Sequence, residues 1–358
     1  MIAARKARGA SVRLFGSPGG LSVRGGGECM NRTGKAILCI FSVFVLAFVP
    51  VRTLGKKGKE NDFPIKTQNY ETVLTVWNID TFEGGKGSRT AFLSSAGKRF
   101  GKGVIVLVRS QTIFGAKESL AGGDVPDMIS FGGGCEFLAG LCVPLTKKEK
   151  AYGGSVGRTT LAAPWCAGGY FLFTKSGDNR LIDKVIVSSG EHNFPLAAKC
   201  LSGVKGNAEL VRSEDGCGAF LAAGENAAFI GTQRDVIRLE RKGVAFTAKP
   251  LGIYSDLFQY FAICTENEER FRLCEEFLLY VLTEKVQSGI SSIGMFPVNG
   301  ENPYRESALS LFDLSEVLYT ASPFLSEDNA AKYRDPTFFG ETWGNEDADR
   351  IKSGLKRL

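Results

Sequence analysis

Between residues 73 and 131 the chain alternates short apolar runs with segments of helical spacing, and few folds accept that order. Residues 73–77 (VLTVW) and 104–108 (VIVLV) are compact patterns of buried strands, and residues 127–131 (DMISF) supply a third. Between the first two, residues 88–100 place Phe92, Leu93, Ala96 and Phe100 on one helical face, and a shorter helix over residues 116–121 stops at Gly122 and Gly123. The β-α-β-α-β order predicts a parallel sheet with covering helices. Such sheets take ligands in the crevice beyond the carboxyl ends of their strands. Two loops therefore face the expected site, residues 78–87 after the first strand and Gly132, Gly133 and Gly134 after the third.

Ahead of this pattern, residues 36–49 (AILCIFSVFVLAFV) form an apolar run behind Arg32 and Lys35. The run fits the apolar region of an export signal and falls short of the about 20 residues that span a bilayer. No A-x-A triplet follows it, so both a cleaved signal and an uncleaved anchor stay open. Cys39 is near the start of the run behind Leu38, a poor position for lipid attachment. Residues 1–59 are read as leader and signal or anchor, with translation starting at Met1 or Met30, and residues 60–70 as a linker.

Charge divides the chain in the same place. Residues 1–59 hold eleven Lys or Arg and one acid, Glu28; of the 44 basic and 38 acidic residues in the chain, the body keeps 33 and 37, a net of −4. A phosphate-tracking surface needs a basic stripe on the folded part, so no nucleic-acid partner is expected.

The nine cysteines are thinly spread without any C-x-x-C, and seven fall in the body. The body is long enough to bury a large core without staples, so buried thiols are the first expectation. If bridges form, Cys264–Cys274 and Cys135–Cys142 are the candidate pairs. A single histidine, His192 in the polar stretch SSGEHNF, argues against a zinc site and against a His-dependent nucleophile. No metal or other cofactor is expected.

The first loop, NIDTFEGGKG, matches neither G-x-x-x-x-G-K-[ST] nor G-x-G-x-x-G. Two readings remain. The start of the following helix offers backbone N–H groups to hydroxyls or an anion beside Trp77, Asp80 and Glu83, or the glycines only make the turn while Asp80 or Glu83 caps the helix.

Five stretches, in order, carry a resemblance: LTVWNID at 74–80, AGGDVPDMI at 121–129, LAAPWCAGGYFLFTK at 161–175, NAAFIGTQRDV at 226–236, and residues 277–298 with YVLTEKVQ and IGMFPV. Together they resemble the extracellular solute-binding proteins of carbohydrate ABC transporters. The resemblance implies an α/β, two-lobed periplasmic-binding-protein-like fold of type II, each lobe a mostly parallel sheet flanked by helices, the lobes joined by crossovers. Lobe 1 is expected over residues 71–155 and 249–298, lobe 2 over 156–248 and 299–358. A helix over residues 267–286 fits the return to lobe 1, its stripe of Phe271, Cys274, Phe277, Leu278, Val281 and Leu282 facing the core. In GGDVPDMI the aspartates are expected to make the turn rather than to bind.

Such a protein captures a mono- or oligosaccharide between its lobes and delivers it to permease subunits, as an extracytoplasmic monomer without enzymatic activity, held at the membrane by the N-terminal segment if uncleaved. Sugars need flat aromatic faces and polar groups for their hydroxyls. Trp77, Asn78, Asp80, Glu83, Phe131, Trp165, Tyr170 and Trp343 are the candidate ligand-binding residues. One departure stands out: after Lys175 the family's T-W-x-E-L helix signal is replaced by VIVSSGEHNFPLAAK, which implies a trimmed second lobe with a shallower cleft. The alternatives are an exported glycan-active hydrolase, with Asp80 and Glu83 as the carboxylates to examine, and a surface sensor or adhesion module on the same fold.

Overall fold

The computed structural model of the protein describes residues 72–82, 86–146, 154–156, 158–175, 182–339 and 345–358. The expected export segment and linker, Glu83 and Trp343 lie outside the described residues. The opening pattern folds as its periodicity requires. β1 (Thr72–Ile79) pairs in parallel with β2 (Val104–Gln111) along its whole length and, through Val76, Trp77 and Asn78, with β3 (Met128–Phe131). α1 (Arg89–Phe100) joins the first two and buries Phe92, Leu93, Ala96 and Phe100. Ser88 caps it, its hydroxyl accepting from Ala91 N, so neither Asp80 nor Glu83 is the cap. α2 (Ile113–Ala121) begins three residues before the expected start, because Thr112 caps it and its first turn is not apolar on the inner side: Phe114 stands exposed.

The run LAAPWCAGGYFLFTK holds two strands that belong to different sheets. After a short hairpin of β4 (Ser155–Val156) and β5 (Thr159–Thr160), β6 (Ala162–Ala167) joins the first sheet and β7 (Tyr170–Thr174) the second. The expected lobe boundary at 155/156 therefore misses the crossing, which falls at Gly168 and Gly169. No apolar pattern marks the switch, yet the glycines do: a Cβ on Gly168 would come within 2.8 Å of the Gln233 amide, and one on Gly169 within 2.3 Å of the Phe312 ring.

The second sheet adds β8 (Lys184–Ser189), β9 (Asn207–Arg212), β10 (Ala227–Thr232) and β11 (Thr247–Pro250), with α3 (Pro195–Leu201), α4 (Gly216–Ala222) and α5 (Gln233–Arg241) between them. The chain then returns to the first sheet as β12 (Phe258–Ile263), later than the expected 248/249. α6 (Glu268–Val281), α7 (Glu284–Gln287) and the edge strand β13 (Phe296–Pro297) follow. The helix expected over 267–286 is thus two helices, broken at Leu282 and Thr283, with Asn267 as the N-terminal cap and Cys274, Phe277, Leu278 and Val281 buried.

Strand order in the first sheet is β2-β1-β3-β12-β6-β13, and in the second β9-β8-β10-β7-β11. Each sheet has three parallel strands, then one antiparallel strand that arrives from the other lobe, then a strand parallel to the first three. The second sheet repeats this plan in full despite the missing helix signal after Lys175. The last segment packs on the second sheet's helices as β14 (Tyr319–Thr320), α8 (Glu327–Lys332), α9 (Asn345–Gly354) and β15 (Lys356–Arg357), β14 pairing with β15. Among the described residues no helix is long and apolar enough to cross a membrane.

The seven described cysteines are all free thiols. Neither expected pair is joined; the cysteine set opposite Cys264 is Cys142, brought there by the register of the sheet rather than by proximity in sequence.

Asp127 does more than turn the chain. Its carboxylate accepts from Thr75 N at 2.7 Å and Thr75 Oγ1 at 2.9 Å, and from Arg270 Nε and Nη2 at 2.6 Å each, so it ties β1, β3 and α6 together. Burial works against its charge, but Arg270 and the Thr75 donors outweigh it and hold the carboxyl below its ordinary value. Asp127→Ala is expected to cost about 2–3 kcal/mol, since Arg270 can still reach water. Urea unfolding checks this; a loss under about 0.5 kcal/mol, the range of ordinary surface substitutions, would contradict it.

Candidate functional site

The carboxyl ends of β1, β3 and β6 share one edge of the first sheet, and a buried polar network binds them there. Trp165 Nε1 on β6 donates to Ser130 Oγ on β3 at 3.0 Å, and Ser130 donates to Asn78 Oδ1 on β1 at 2.9 Å. Gln259, on the inserted β12, donates to Ile79 O at 2.9 Å and to Ser130 Oγ at 3.1 Å. Its carbonyl accepts from Arg89 Nη1 at 3.1 Å, while Arg89 Nη2 donates to Phe82 O at 2.8 Å.

The network ends at a carboxylate on the rim. Asp80 is paired with Arg89 Nε at 2.6 Å and accepts from Asn78 Nδ2 at 2.9 Å, yet its side chain stays 41 % exposed. It is a fixed acceptor, aimed by two neighbours and open to water. Of the eight expected ligand-binding residues it is the one described with solvent access.

Of the other candidates that are described, four lie on the strands of this sheet and Tyr170 starts a strand of the second, and all face protein. Trp77, Asn78, Phe131, Trp165 and Tyr170 are all buried. Trp165 stacks on Phe92 with ring centroids 5.8 Å apart and meets Phe261 on another side. Phe131 lies between Tyr260 and Phe324. These rings therefore offer no free face to a sugar in this arrangement, and the apolar environment that holds them is the core itself.

From the second sheet, the loop after β8 meets Gly133 and Gly134, two of the three glycines that follow β3. A Cβ on Gly133 would sit 2.7 Å from His192 O, and one on Gly134 2.5 Å from His192 Nδ1, so only glycine allows this approach. Cys135 N donates to Pro323 O at 3.1 Å in the same seam. Burial first, and then Arg334 and Lys117, pull the His192 imidazole below its ordinary value, against the opposing charges of Glu191 and Glu327. Its Nδ1 is buried without a partner among the described residues, as are Thr81 Oγ1, beside Gly132, and the Tyr254 hydroxyl.

Behind the seam, Asp256 accepts from Tyr170 Oη at 2.7 Å and from Phe194 N at 2.9 Å, and Tyr170 stacks on Tyr254 at 6.2 Å. A separate cavity of 490 Å³ opens where the chain passes from β13 to the last segment, between the stacked rings of Phe296 and Phe312 and the polar side chains of Arg305 and Asp313. No candidate residue from the sequence lines it. Among the described residues no group of His, Cys, Asp and Glu could hold a metal ion.

Sequence reasoning missed Thr81, Arg89, Ser130, Asp256 and Gln259. A signal existed for some: Arg89 and Gln259 are charged or amide residues within otherwise apolar-facing elements. His192 lies in a loop, as its polar neighbours imply, but its contact with the glycine loop has no local signature.

No family model matches the chain, and no curated protein matches it in sequence. Solved structures do match. A putative extracellular solute-binding protein from Bordetella parapertussis aligns with a TM-score of 0.53 at 14% identity, covering 74% of this chain and 97% of its own. The sugar-binding protein MalE from the phytopathogen Xanthomonas citri aligns at 0.53 and 13% identity, covering 78% and 95%. Maltose-bound MalE3 of T. maritima aligns at 0.51 and 12% identity, covering 79% and 98%. The likeness is one of fold. The chain has the two-lobed, type II periplasmic-binding-protein-like architecture.

Burial raises Asp256 from 3.8 to about 6, so the folded protein keeps a proton there that the unfolded chain has released. That stabilising contribution is fully present below pH 3.8 and is lost as pH rises through about 6. Its size is about 3 kcal/mol. Melting temperature measured from pH 3.5 to 7.5 should fall more steeply across that window in the wild type than in Asp256→Asn; parallel profiles would contradict the assignment.

Proposed function

We propose that this protein is an extracytoplasmic solute receptor that captures a carbohydrate between its two lobes and delivers it to the permease of an ABC transporter, without catalysis. The observation that carries this reading is the seam itself. Two sheets of the same strand order turn their carboxyl edges toward each other, and each carries a buried polar atom without a partner among the described residues: Thr81 Oγ1, next in the chain to the fixed carboxylate of Asp80, on one, and His192 Nδ1 on the other. Unpaired buried polar atoms cost about 1–3 kcal/mol each, a cost that hydroxyls of an entering solute would relieve. Of the three solved structures compared above, two are sugar-binding proteins and one a solute-binding protein, which favours a carbohydrate over other polar solutes.

Capture requires the lobes to part at Gly168 and Gly169 and over residues 251–257, where the chain passes between sheets. In this reading the N-terminal apolar segment exports the receptor and the body works as a monomer. The hydrolase alternative has less support: Asp80 is held by Arg89 and Asn78 as a charge-paired acceptor, a poor arrangement for one of two carboxylates that must share acid and base work. A sensor or adhesion module would bind the same solutes but fail a transport assay.

A panel of mono- and oligosaccharides tests the reading by thermal shift and by product analysis of the same mixtures. A subset is expected to raise the melting temperature, by the equivalent of about 2.7 kcal/mol at a hundredfold excess over Kd, and none to be cleaved. Asp80→Ala should weaken the best ligand about tenfold. Release of a sugar product, or no shift with any member, would contradict it.

A further inference from the structure

The first lobe is built from two stretches of chain, 72–167 and 258–297, separated by the whole second sheet. Where the second stretch leaves β12, a bridge between Val143 and Ile263 brings the two stretches side by side, antiparallel, with Val143 N donating to Ile263 O at 2.8 Å. One step along that register sets Cys142 directly opposite Cys264, near enough for Cys142 to help raise the Cys264 thiol above its ordinary value. Cys142 also donates to Leu138 O at 3.0 Å, which fixes its sulfur on that side. Directly opposed residues of an antiparallel pair hold their Cβ atoms about 4.5–5.5 Å apart, close to the about 3.5–4.5 Å that a disulfide spans.

We propose that Cys142 and Cys264 are a disulfide-forming pair, a covalent clasp between the two stretches of the first lobe. The chemistry is thiol–disulfide exchange with an external disulfide. The Cys264 sulfur, as thiolate, attacks one sulfur of the external disulfide, forms a mixed disulfide and releases one thiol. The Cys142 sulfur then attacks Cys264 Sγ and releases the second thiol. Two S–H bonds are lost, one S–S bond forms, and the external disulfide is reduced to two thiols. Cys264 is the entry point, since it is the one described cysteine that is not fully buried. Cys142, together with burial, holds the Cys264 thiol well above the ordinary value, so exchange is slow without a catalyst or a high disulfide concentration. Cys274 is the competing neighbour, but it sits on α6 with its side chain sealed from solvent, and it does not share the strand register.

The clasp has a particular mechanical meaning. It closes a loop that contains every strand of the second sheet, so the discontinuous lobe can no longer come apart by releasing its returning strand. It is also remote from the seam. Cys264 N donates to Asp127 O at 2.8 Å, which places the pair at the amino end of β3, opposite the edge that carries Asp80 and the glycines. Stability should therefore change while solute binding does not.

The full chain, incubated in a buffer of oxidised and reduced glutathione and then alkylated, is digested without reduction and mapped by mass spectrometry. The expected result is a peptide linking Cys142 to Cys264, and a rise in melting temperature on the order of 10 °C that dithiothreitol reverses. Cys142→Ser and Cys264→Ser should lose both signals, and Cys135→Ser and Cys274→Ser should keep them. Complete alkylation of both thiols under oxidising conditions, or a link through Cys274 or Cys135 instead, would overturn the proposal. Because the mapping is done on the wild type, a variant that fails to fold does not blunt the test.

Discussion

The side chain of Gln259 is the constraint on which the first lobe and its site both depend. It sits on β12, the strand that returns from the second lobe, and its amide reaches the carbonyl of Ile79, the hydroxyl of Ser130 and the guanidinium of Arg89. Each of these groups is buried and would be costly to leave unpaired. The first three parallel strands thus have their polar carboxyl edge completed only when a residue about 180 positions later arrives, a strongly non-local closure. Arg89, steadied by Gln259 and Phe82 O, in turn fixes Asp80 at the rim, so the orientation of the most exposed candidate group is inherited from the strand insertion.

The same logic runs in the other direction in the second sheet. There β7 arrives from the first lobe and lies antiparallel to β10. Each lobe therefore contains one strand contributed by chain coming from the other, and both sheets meet at short crossings with little room for a side chain. Gln233 shows how closely this is built: its carbonyl accepts from Gly169 N, while its amide reaches Met295 at the far side of the crossing. A fold of this kind couples the position of the lobes to a few backbone segments, which is what a solute-closing movement needs.

How much of this was legible in the sequence differs by element. β1, α1, β2, α2 and β3 follow from periodicity, because each is amphipathic or buried by a simple local rule. The crossing at Gly168 and Gly169 was hidden, since LAAPWCAGGYFLFTK is one continuous apolar run although its halves enter different sheets. For the site, the sequence pointed to the carboxyl edge of the sheet and favoured aromatic residues, and aromatic character does not separate a binding platform from core. Trp165 and Phe131 belong to the core. The polar residues that shape the edge are not legible locally because Ser130 and Gln259 gain their meaning only from partners 35 to 181 residues away, and Arg89, though it also pairs with nearby Asp80 and Phe82, is steadied by Gln259 from 170 residues away. The thiol pair was missed for the same reason: nearness in sequence pointed to Cys274, and strand register pointed to Cys142.

The central claim is that a solute is held between the facing carboxyl edges, and hydrogen exchange measured with and without a saturating oligosaccharide addresses it directly. The account predicts that the amides of Gly132, Gly133 and Gly134 and those around His192 slow by about tenfold or more on binding, while those of β2 do not change. Protection confined to the region of Phe296 and Phe312, or no protection at the glycine loop with ligand bound, would contradict it.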